Sequence, residues 1–275
     1  MAEITAAAVK ELREKTGLPM MECKKALQET GGDQQAAVDW LRKQGIKTAE
    51  TRIGRETSTG RLAVYADVAA GVGAMIELQC ESAPVANSAE FKQFANDLAK
   101  TLATGKGAQN PDELLAQPSV SAAGKTFKDQ KDDMFNRIRE VFNLSRIVRY
   151  QTSCGAYAHH DGSVAALVQV EGGNNEVAKD VAMHVVAQKP AVVRKEDLNQ
   201  ADVDKEREIL LEAARGEGKP ENIIGKMVEG RLKNYYAAKV LLEQPFIKEE
   251  SKTVGKLADE AKMKIVRFDR WELGK

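Results

Sequence analysis

Arg61-Leu62-Ala63-Val64-Tyr65-Ala66-Asp67-Val68, then Gly71-Val72-Gly73, then Ala74-Met75-Ile76-Glu77-Leu78-Gln79-Cys80 is the stretch whose reading decides the fold. Leu62, Val64, Ala66 and Val68 alternate with their neighbours, the two glycines can turn the chain, and Ile76, Leu78 and Cys80 alternate again. A period of two on either side of a turn predicts a hairpin. The pattern then changes to a helical one, with Phe91, Phe94, Ala95, Leu98 and Leu102 on one face, entered through Asn87 with Glu90 three residues later. The same order recurs downstream. Arg146-Ile147-Val148-Arg149-Tyr150 echoes Arg61 to Tyr65, Asp161-Gly162 gives a turn signal, and Ala166-Leu167-Val168-Gln169-Val170 parallels Ala74 to Leu78. A helix with Val177, Ala178, Val181, Ala182 and Val185 follows. Two strand-strand-helix units of this kind predict an internal duplication and an α+β fold, with Pro111 to Leu115 and Met134 to Phe142 as helical connectors between them.

Upstream, residues 1–45 predict three short helices. Thr5 can cap the first, with Val9 and Leu12 inside and Gly17 as its stop; Pro19 opens the second, whose Met20, Cys23 and Leu27 repeat at helical spacing; Asp33 caps the third, which carries Ala37, Val38, Trp40 and Leu41 and ends at Gly45. The module resembles a ubiquitin-associated (UBA-like) three-helix bundle. Residues 46–60 lack an apolar period and predict a linker. The division expected is therefore 1–45 UBA-like module, 46–60 linker, 61–145 first core subdomain, 146–200 with 245–275 second core subdomain, and 201–244 an inserted helical hairpin of coiled-coil or dimerisation type. In that hairpin Val203, Leu210 and Ala214 form one sparse stripe, Gly216, Gly218 and Pro220 turn the chain, and Ile223, Ile224, Met227 and Val228 begin the second stripe. Lys264 to Leu273 is expected as a last strand closing the second sheet.

The composition limits the function. Among 275 residues, 41 Lys and Arg balance 41 Asp and Glu, so the surplus of positive charge that phosphate binding needs is missing and no direct nucleic-acid partner is expected. Hydrophobic residues at 43% against 30% charged exclude a chain disordered throughout, and 5% aromatics mean that Ala, Val, Leu, Ile and Met must fill the cores. Cys23, Cys80 and Cys154 are odd in number and widely spaced, which suits reduced thiols in the cytoplasm. Neither a signal peptide nor 18 uninterrupted apolar residues stands in the sequence, so no membrane partner is expected.

Motifs of bond chemistry are equally sparse. Gly124-Lys125-Thr126 ends as a phosphate-binding loop does, but the first glycine of that motif falls at Ser119 and no strand precedes it, so a polar turn is expected. His159, His160 and His184 have no metal-binding spacing; His184 borders an apolar helix face, whereas the other two sit at a hairpin tip, open to either a partner or solvent. No nucleophile elbow or dinucleotide fingerprint is present, and neither an enzyme, a cofactor nor a metal is expected. One asymmetry between the two units does stand out. Seventeen residues separate Ile76 from Phe94 and 12 separate Val168 from Val181, so the first copy carries a longer loop at Glu81 to Ala89, the sort of place where function is added to a scaffold.

Read as a string, Leu12-Arg13-Glu14-Lys15-Thr16-Gly17-Leu18-Pro19-Met20-Met21-Glu22-Cys23-Lys24-Lys25-Ala26-Leu27 resembles the amino-terminal signature of bacterial translation elongation factor Ts. The resemblance continues through Asp180 to Val185, Lys226 to Arg231, and Gln244-Pro245-Phe246 to Val254, covering nearly the whole chain in order. It implies a guanine-nucleotide exchange factor of protein biosynthesis that binds elongation factor Tu in its GDP-bound and nucleotide-free forms, promotes GDP release and lets GTP reload. It also implies contact roles for Leu12, Arg13, Met20 and Met21, though the helical pattern equally claims Leu12 and Met20 for the bundle core. Tyr157-Ala158-His159 resembles the family's Tyr-x-His turn, which singles out His159. The hairpin matches the family's protruding element, implying a homodimer or a heterotetramer with the GTPase. No carboxy-terminal helical extension of the sort some relatives carry is expected after Lys275.

A departure falls in the longer loop. Where the family usually reads Asn-Cys-x-Thr-Asp-Phe-Val-Ala, with the Asp-Phe pair intruding near the GTPase magnesium site, this chain reads Gln79-Cys80-Glu81-Ser82-Ala83-Pro84-Val85-Ala86. The magnesium-dislocating position thus maps to Ser82, Ala83, Pro84 and Val85, with a methyl group for the carboxylate and a proline for the aromatic wedge. The alternative expectation is a non-catalytic binding protein for elongation factor Tu with weakened exchange.

Overall fold

The computed structural model describes residues 4–50, 55–217 and 220–275. Helices α1 (Ala6–Thr16), α2 (Met20–Glu29) and α3 (Gln34–Glu50) form the amino-terminal module. Its local signals are used as the residue types dictate. Thr5 Oγ1 accepts from Ala8 N at 3.2 Å, Gly17 takes the left-handed stop at φ 67°, and Asp33 Oδ1 accepts from Ala36 N at 2.8 Å. Val9, Leu12, Leu18, Cys23, Ala26, Leu27, Ala37 and Leu41 make the core. Gly45 does not end α3, which runs on to Glu50. A Cβ at Gly45 would fall 1.8 Å from Asn136 Oδ1, so the glycine serves close approach to the next module instead. The expected linker is correspondingly shorter: residues 46–50 belong to α3, 51–54 lie outside the described residues, and Thr59 already begins a strand.

Strands β1 (Thr59–Asp67), β2 (Val72–Cys80) and β3 (Asn143–Tyr150) make an antiparallel sheet in that order. Between β2 and β3 come α4 (Ala83–Ala86), α5 (Ala89–Thr104), α6 (Pro111–Leu115) and α7 (Phe127–Ile138). A second sheet has the order β4 (Cys154–Ala158), β5 (Val164–Gly172) and β8 (Met263–Glu272), with α8 (Asn175–Gln188) after β5. The intervening chain forms α9 (Gln200–Gly216), α10 (Glu221–Lys239), the short ribbon β6 (Pro245–Phe246) and β7 (Glu249–Thr253), and α11 (Val254–Glu260).

This topology corrects the sequence reading at one point. Arg146 to Tyr150 does not open the second unit but completes the first sheet, with Ile147 opposite Ile76 and Arg149 opposite Ala74. Its alternation is that of a strand, and alternation carries no information about which strand is the partner. The repeated unit is strand-strand-helix-strand, and Lys264 to Leu273, which β8 covers up to Glu272, supplies the third strand of the second copy by pairing with β5.

Each sheet is covered on both faces. Ala74, Ile76, Leu78 and Cys80 turn toward a core built with Phe91, Phe94, Leu98 and Leu102 of α5, while Ala166, Val168 and Val170 turn toward Val181, Ala182 and Val185 of α8. The remaining faces pack against one another through Leu62, Met75, Tyr150, Cys154, Ala165 and Leu167. Approach is close enough that a Cβ at Gly73 would lie 2.6 Å from the Cβ of Cys154. Leu62, Val64 and Ala66 therefore face the other sheet while Ile76, Leu78 and Cys80 face a helix: the two alternating sets are on opposite sides.

At one edge of this junction lies a buried ion pair. Glu77 is 2% exposed; its Oε2 accepts from Arg146 Nε at 2.8 Å and its Oε1 from Gly274 N at 3.1 Å. The same guanidinium donates to Glu272 O at 2.9 Å and lies 4.3 Å from the Trp271 ring centre, so β2, β3 and the chain after β8 share one charged centre. Removing one partner of such a pair leaves an uncompensated buried charge. Arg146→Ala should cost about 3 kcal/mol in urea unfolding, and Glu77→Gln added to it should return part of that loss.

A second polar centre fastens the carboxy-terminal insertion. His184 of α8 is fully buried; its Nδ1 accepts from Ile247 N at 3.3 Å, which places the proton on Nε2, the atom 3.0 Å from Gln244 Oε1. Burial pushes the His184 ring below its ordinary pKa, and the Gln244 bond offsets only part of that. The folded state thus binds this proton less readily than the unfolded chain. The stability involved is complete above about pH 6.5 and is lost as pH falls from there through the lower folded value. Thermal melts between pH 7 and 5 should show a decline that His184→Gln makes shallower; equal slopes would remove His184 as its source.

The hairpin of α9 and α10 is held by Ala214, Ile224, Val228 and Leu232, flanked by Leu210, Leu211, Met227 and Tyr236. Arg207 to Glu229 at 2.6 Å and Arg231 to Glu217 at 2.5 Å tie its flanks. Of the expected turn, Gly218 lies outside the described residues.

Candidate partner-binding site

After Cys80 the chain leaves β2 and enters the single turn of α4, which holds Ser82, Ala83, Pro84 and Val85 in a fixed shape. Ser82 N donates to Glu140 Oε2 at 3.0 Å and Ser82 Oγ donates to Glu140 Oε1 at 2.5 Å. Glu81 accepts from Val141 N at 2.8 Å and pairs with Arg55 at 3.1 Å, and Thr59 Oγ1 donates to Cys80 O at 3.0 Å. Pro84 stands in the first helical turn, where its missing N–H breaks no bond. Val85 packs on the Phe91 core, whereas Ala83 and Pro84 are exposed. Burial pushes the Cys80 thiol up, which makes it a packing group rather than a nucleophile. Asn87 closes α4, and it is Ser88, accepting from Phe91 N at 3.2 Å, that caps α5.

The other candidate element is the β4–β5 turn. Gly162 N donates to His159 O at 2.8 Å, and Gly162 has φ 78°, which a glycine adopts without strain. His159 Nδ1 lies 2.9 Å from Asp161 Oδ1, and its ring centre is 4.3 Å from that of His160. Burial by itself would raise the Asp161 carboxyl; the Ser163 amide and hydroxyl and the His159 ring outweigh it and hold the group well below the usual carboxylate range. An ionised Asp161 keeps Nδ1 occupied and leaves Nε2 as the ring nitrogen it does not engage.

The two elements meet at β1. Thr59 pairs with Cys80 at the root of the loop, and two residues on, Arg61 donates to His160 O at 2.8 Å and Asp161 O at 3.3 Å while Leu62 N donates to Gly162 O at 2.8 Å. Sequence reading missed Glu140 and Arg61. Glu140 was hidden inside Met134 to Phe142, read as one helix, whereas α7 stops at Ile138 and Arg139 turns the chain at φ 65°. Arg61 looked like any surface residue at a strand start, and its partners are a hundred positions away.

In the amino-terminal module the four candidates separate. Leu12 is fully buried in the bundle and is corrected from contact to core; Met20 at 51% and Met21 at 73% exposure, with exposed Arg13, lie on the surface. Glu22 pairs with Arg139 and Arg42 with Asp129, which dock the module on the first subdomain through charged groups. Between them lies a cleft of about 600 Å³ lined by Thr16, Val38, Glu90 and Asn136 among others. Gly124-Lys125-Thr126 is a surface turn in which Thr126 and Asp129 form the capping box of α7. Among the described residues no group of three or more His, Cys, Asp or Glu is placed to hold a metal ion, and no helix is long and apolar enough to cross a membrane.

The family model described as Elongation factor TS matches residues 81–275. Among curated relatives, Elongation factor Ts of Aquifex aeolicus is 41% identical over 279 residues, spanning 97% of this chain and 96% of that protein. The chain belongs to the elongation factor Ts family. Elongation factor Ts of Thioalkalivibrio sulfidiphilus is 39% identical over 98% of this chain and 92% of its own length, and that of Prosthecochloris aestuarii is 38% identical over the full length of both. Family membership places this chain among translation elongation factors.

The burial contrast in the family signature is directly testable. Leu12→Ala should lower the stability of the amino-terminal module by about 3 kcal/mol, and Met21→Ala should leave it within roughly 0.5 kcal/mol, as read by urea titration. Similar losses for both would place Met21 in the core.

Proposed function

We propose that the chain is a guanine-nucleotide exchange factor for elongation factor Tu, acting in the cytoplasm, forming and breaking no covalent bonds, and needing no cofactor, metal or nucleic acid of its own. The observation that carries this is membership of the family together with the loop Ser82 to Val85, whose Ala83 and Pro84 face solvent, rooted beside the His159 turn. Arg13, Met20 and Met21 would anchor the GTPase from the amino-terminal module, and the α9–α10 hairpin would set whether the assembly is a homodimer or a heterotetramer.

Exchange is differential binding. The factor must hold the nucleotide-free GTPase more tightly than the loaded one, and each ~1.4 kcal/mol of difference is tenfold in coupling. A loop with Ala83 and Pro84 at its apex supplies shape but neither charge nor aromatic area, so in this chain the displacement of GTPase backbone, by the loop and by His159, does the work. Glu140 brings the nearest carboxylate to the loop, and both of its oxygens are engaged by Ser82. The second reading, a binding protein with weakened exchange, rests on the same two residues.

Release of a fluorescent GDP analogue from elongation factor Tu, with and without the chain, separates the readings; acceleration supports exchange, and binding with unaltered release supports the second. An inserted aromatic is worth on the order of 2 kcal/mol at a buried contact. Ala83→Asp with Pro84→Phe should therefore accelerate release further, most clearly at high magnesium. A rate equal or lower, with binding intact, would mean that the GTPase surface is complementary to Pro84 and that the native loop is not impaired.

A further inference from the structure

Arg61 is joined to the His159 turn by more than one kind of contact. Its guanidinium donates to two successive carbonyls, of His160 at 2.8 Å and Asp161 at 3.3 Å, and its neighbour Leu62 donates to the third, of Gly162, at 2.8 Å. A Cβ at Gly162 would lie 2.9 Å from Arg61 Cγ, so the absence of a side chain there is what admits the arginine stem. Three consecutive carbonyls of a four-residue turn are thus held by two consecutive residues of β1, a strand of the other sheet. A planar fork of fixed geometry can bridge adjacent carbonyls in a way that an ammonium cannot.

The same strand end is fastened to the loop. Thr59 stands opposite Cys80, and its hydroxyl donates to Cys80 O, two residues before Ser82. Displacing the turn therefore changes its position relative to a loop that Glu140 and the bond from Val141 N to Glu81 hold in place.

We propose that Arg61 is a positioning residue for nucleotide exchange: by clamping the carbonyls of His160 and Asp161 it fixes where His159 stands relative to the Ser82–Val85 loop, so that both reach the GTPase as one surface. The inference rests on the exchange reading above. Arg61 itself need not touch the partner. Its effect is on how well the bound factor distorts the GTPase, and so belongs to the maximal rate of release rather than to the concentration at which the factor saturates.

The test uses the full chain and the GTPase loaded with fluorescent GDP. Arg61→Ala should lower the maximal release rate about tenfold while the half-saturating concentration stays within about twofold, and Arg61→Lys, which can satisfy one carbonyl, should fall between. In a His159→Ala background Arg61→Ala should have little further effect, because its action passes through that ring. An unaltered maximal rate, or a full loss that persists without His159, would overturn the proposal, the second result marking a general structural role. Side-chain NMR of His159 in the free protein gives an independent reading: the ring signals should broaden or shift in Arg61→Ala, and signals unchanged from wild type would also overturn it. Failure of the wild-type chain to accelerate release would reject the exchange reading itself, an outcome no Arg61 variant imitates.

Discussion

The packing of one three-stranded sheet against the other, with Leu62, Met75 and Tyr150 meeting Cys154, Ala165 and Leu167, is the contact on which the remaining structure depends. It gives the two three-stranded sheets two covered faces each, which is how a chain with few aromatics fills three adjoining cores. It also brings the His159 turn of the second sheet against the first residues of β1, beside the root of the Ser82–Val85 loop. The apolar contact sets the distance between the sheets, and the polar groups at its margin set the register: Glu77 with Arg146, Tyr150 with Asp269, and Arg61 with the turn carbonyls. Loss of apolar area would weaken the junction, whereas loss of a polar partner would leave a misaligned or uncompensated group within it.

The asymmetry of attachment is physically informative. The two sheets share a buried apolar junction, while the amino-terminal module meets the first subdomain through the close approach of Gly45 to Asn136 and through Glu22 with Arg139 and Arg42 with Asp129, pairs that remain in contact with water. Exposed pairs of this kind are worth little. The module thus presents the exposed Met20 and Met21 on a weakly fastened body, whereas the joined sheets share a continuous buried junction.

Local elements were legible in the sequence because their signals are local. Thr5, Gly17 and Asp33 act where their chemistry predicts, the Gly71 turn joins the two alternating runs, and His184 is the packed histidine its apolar neighbours suggested. Partnership was not legible. Arg146 to Tyr150 has the same alternation as Arg61 to Tyr65, and nothing in either stretch says that the first pairs with β2 and lies beside β8 in the next sheet. Gly45 was misread because a helix stop and a close approach call for the same residue. At the candidate site, the length asymmetry between the two units pointed to the loop and the hairpin tip to His159 and His160, the family resemblance narrowed these to Ser82 to Val85 and His159, and Glu140 and Arg61, which hold them, act across long stretches of chain that no spacing rule connects.

If the loop and the turn form one body, the two sheets separate only on unfolding. Hydrogen exchange of the Leu62 amide, which donates across the junction to Gly162 O, measures this directly when followed against low denaturant concentrations. The account predicts an opening free energy for Leu62 equal to that of core amides such as Ile76, falling with denaturant at the global slope. Exchange of Leu62 through a small, denaturant-independent opening, with Ile76 still protected, would contradict it.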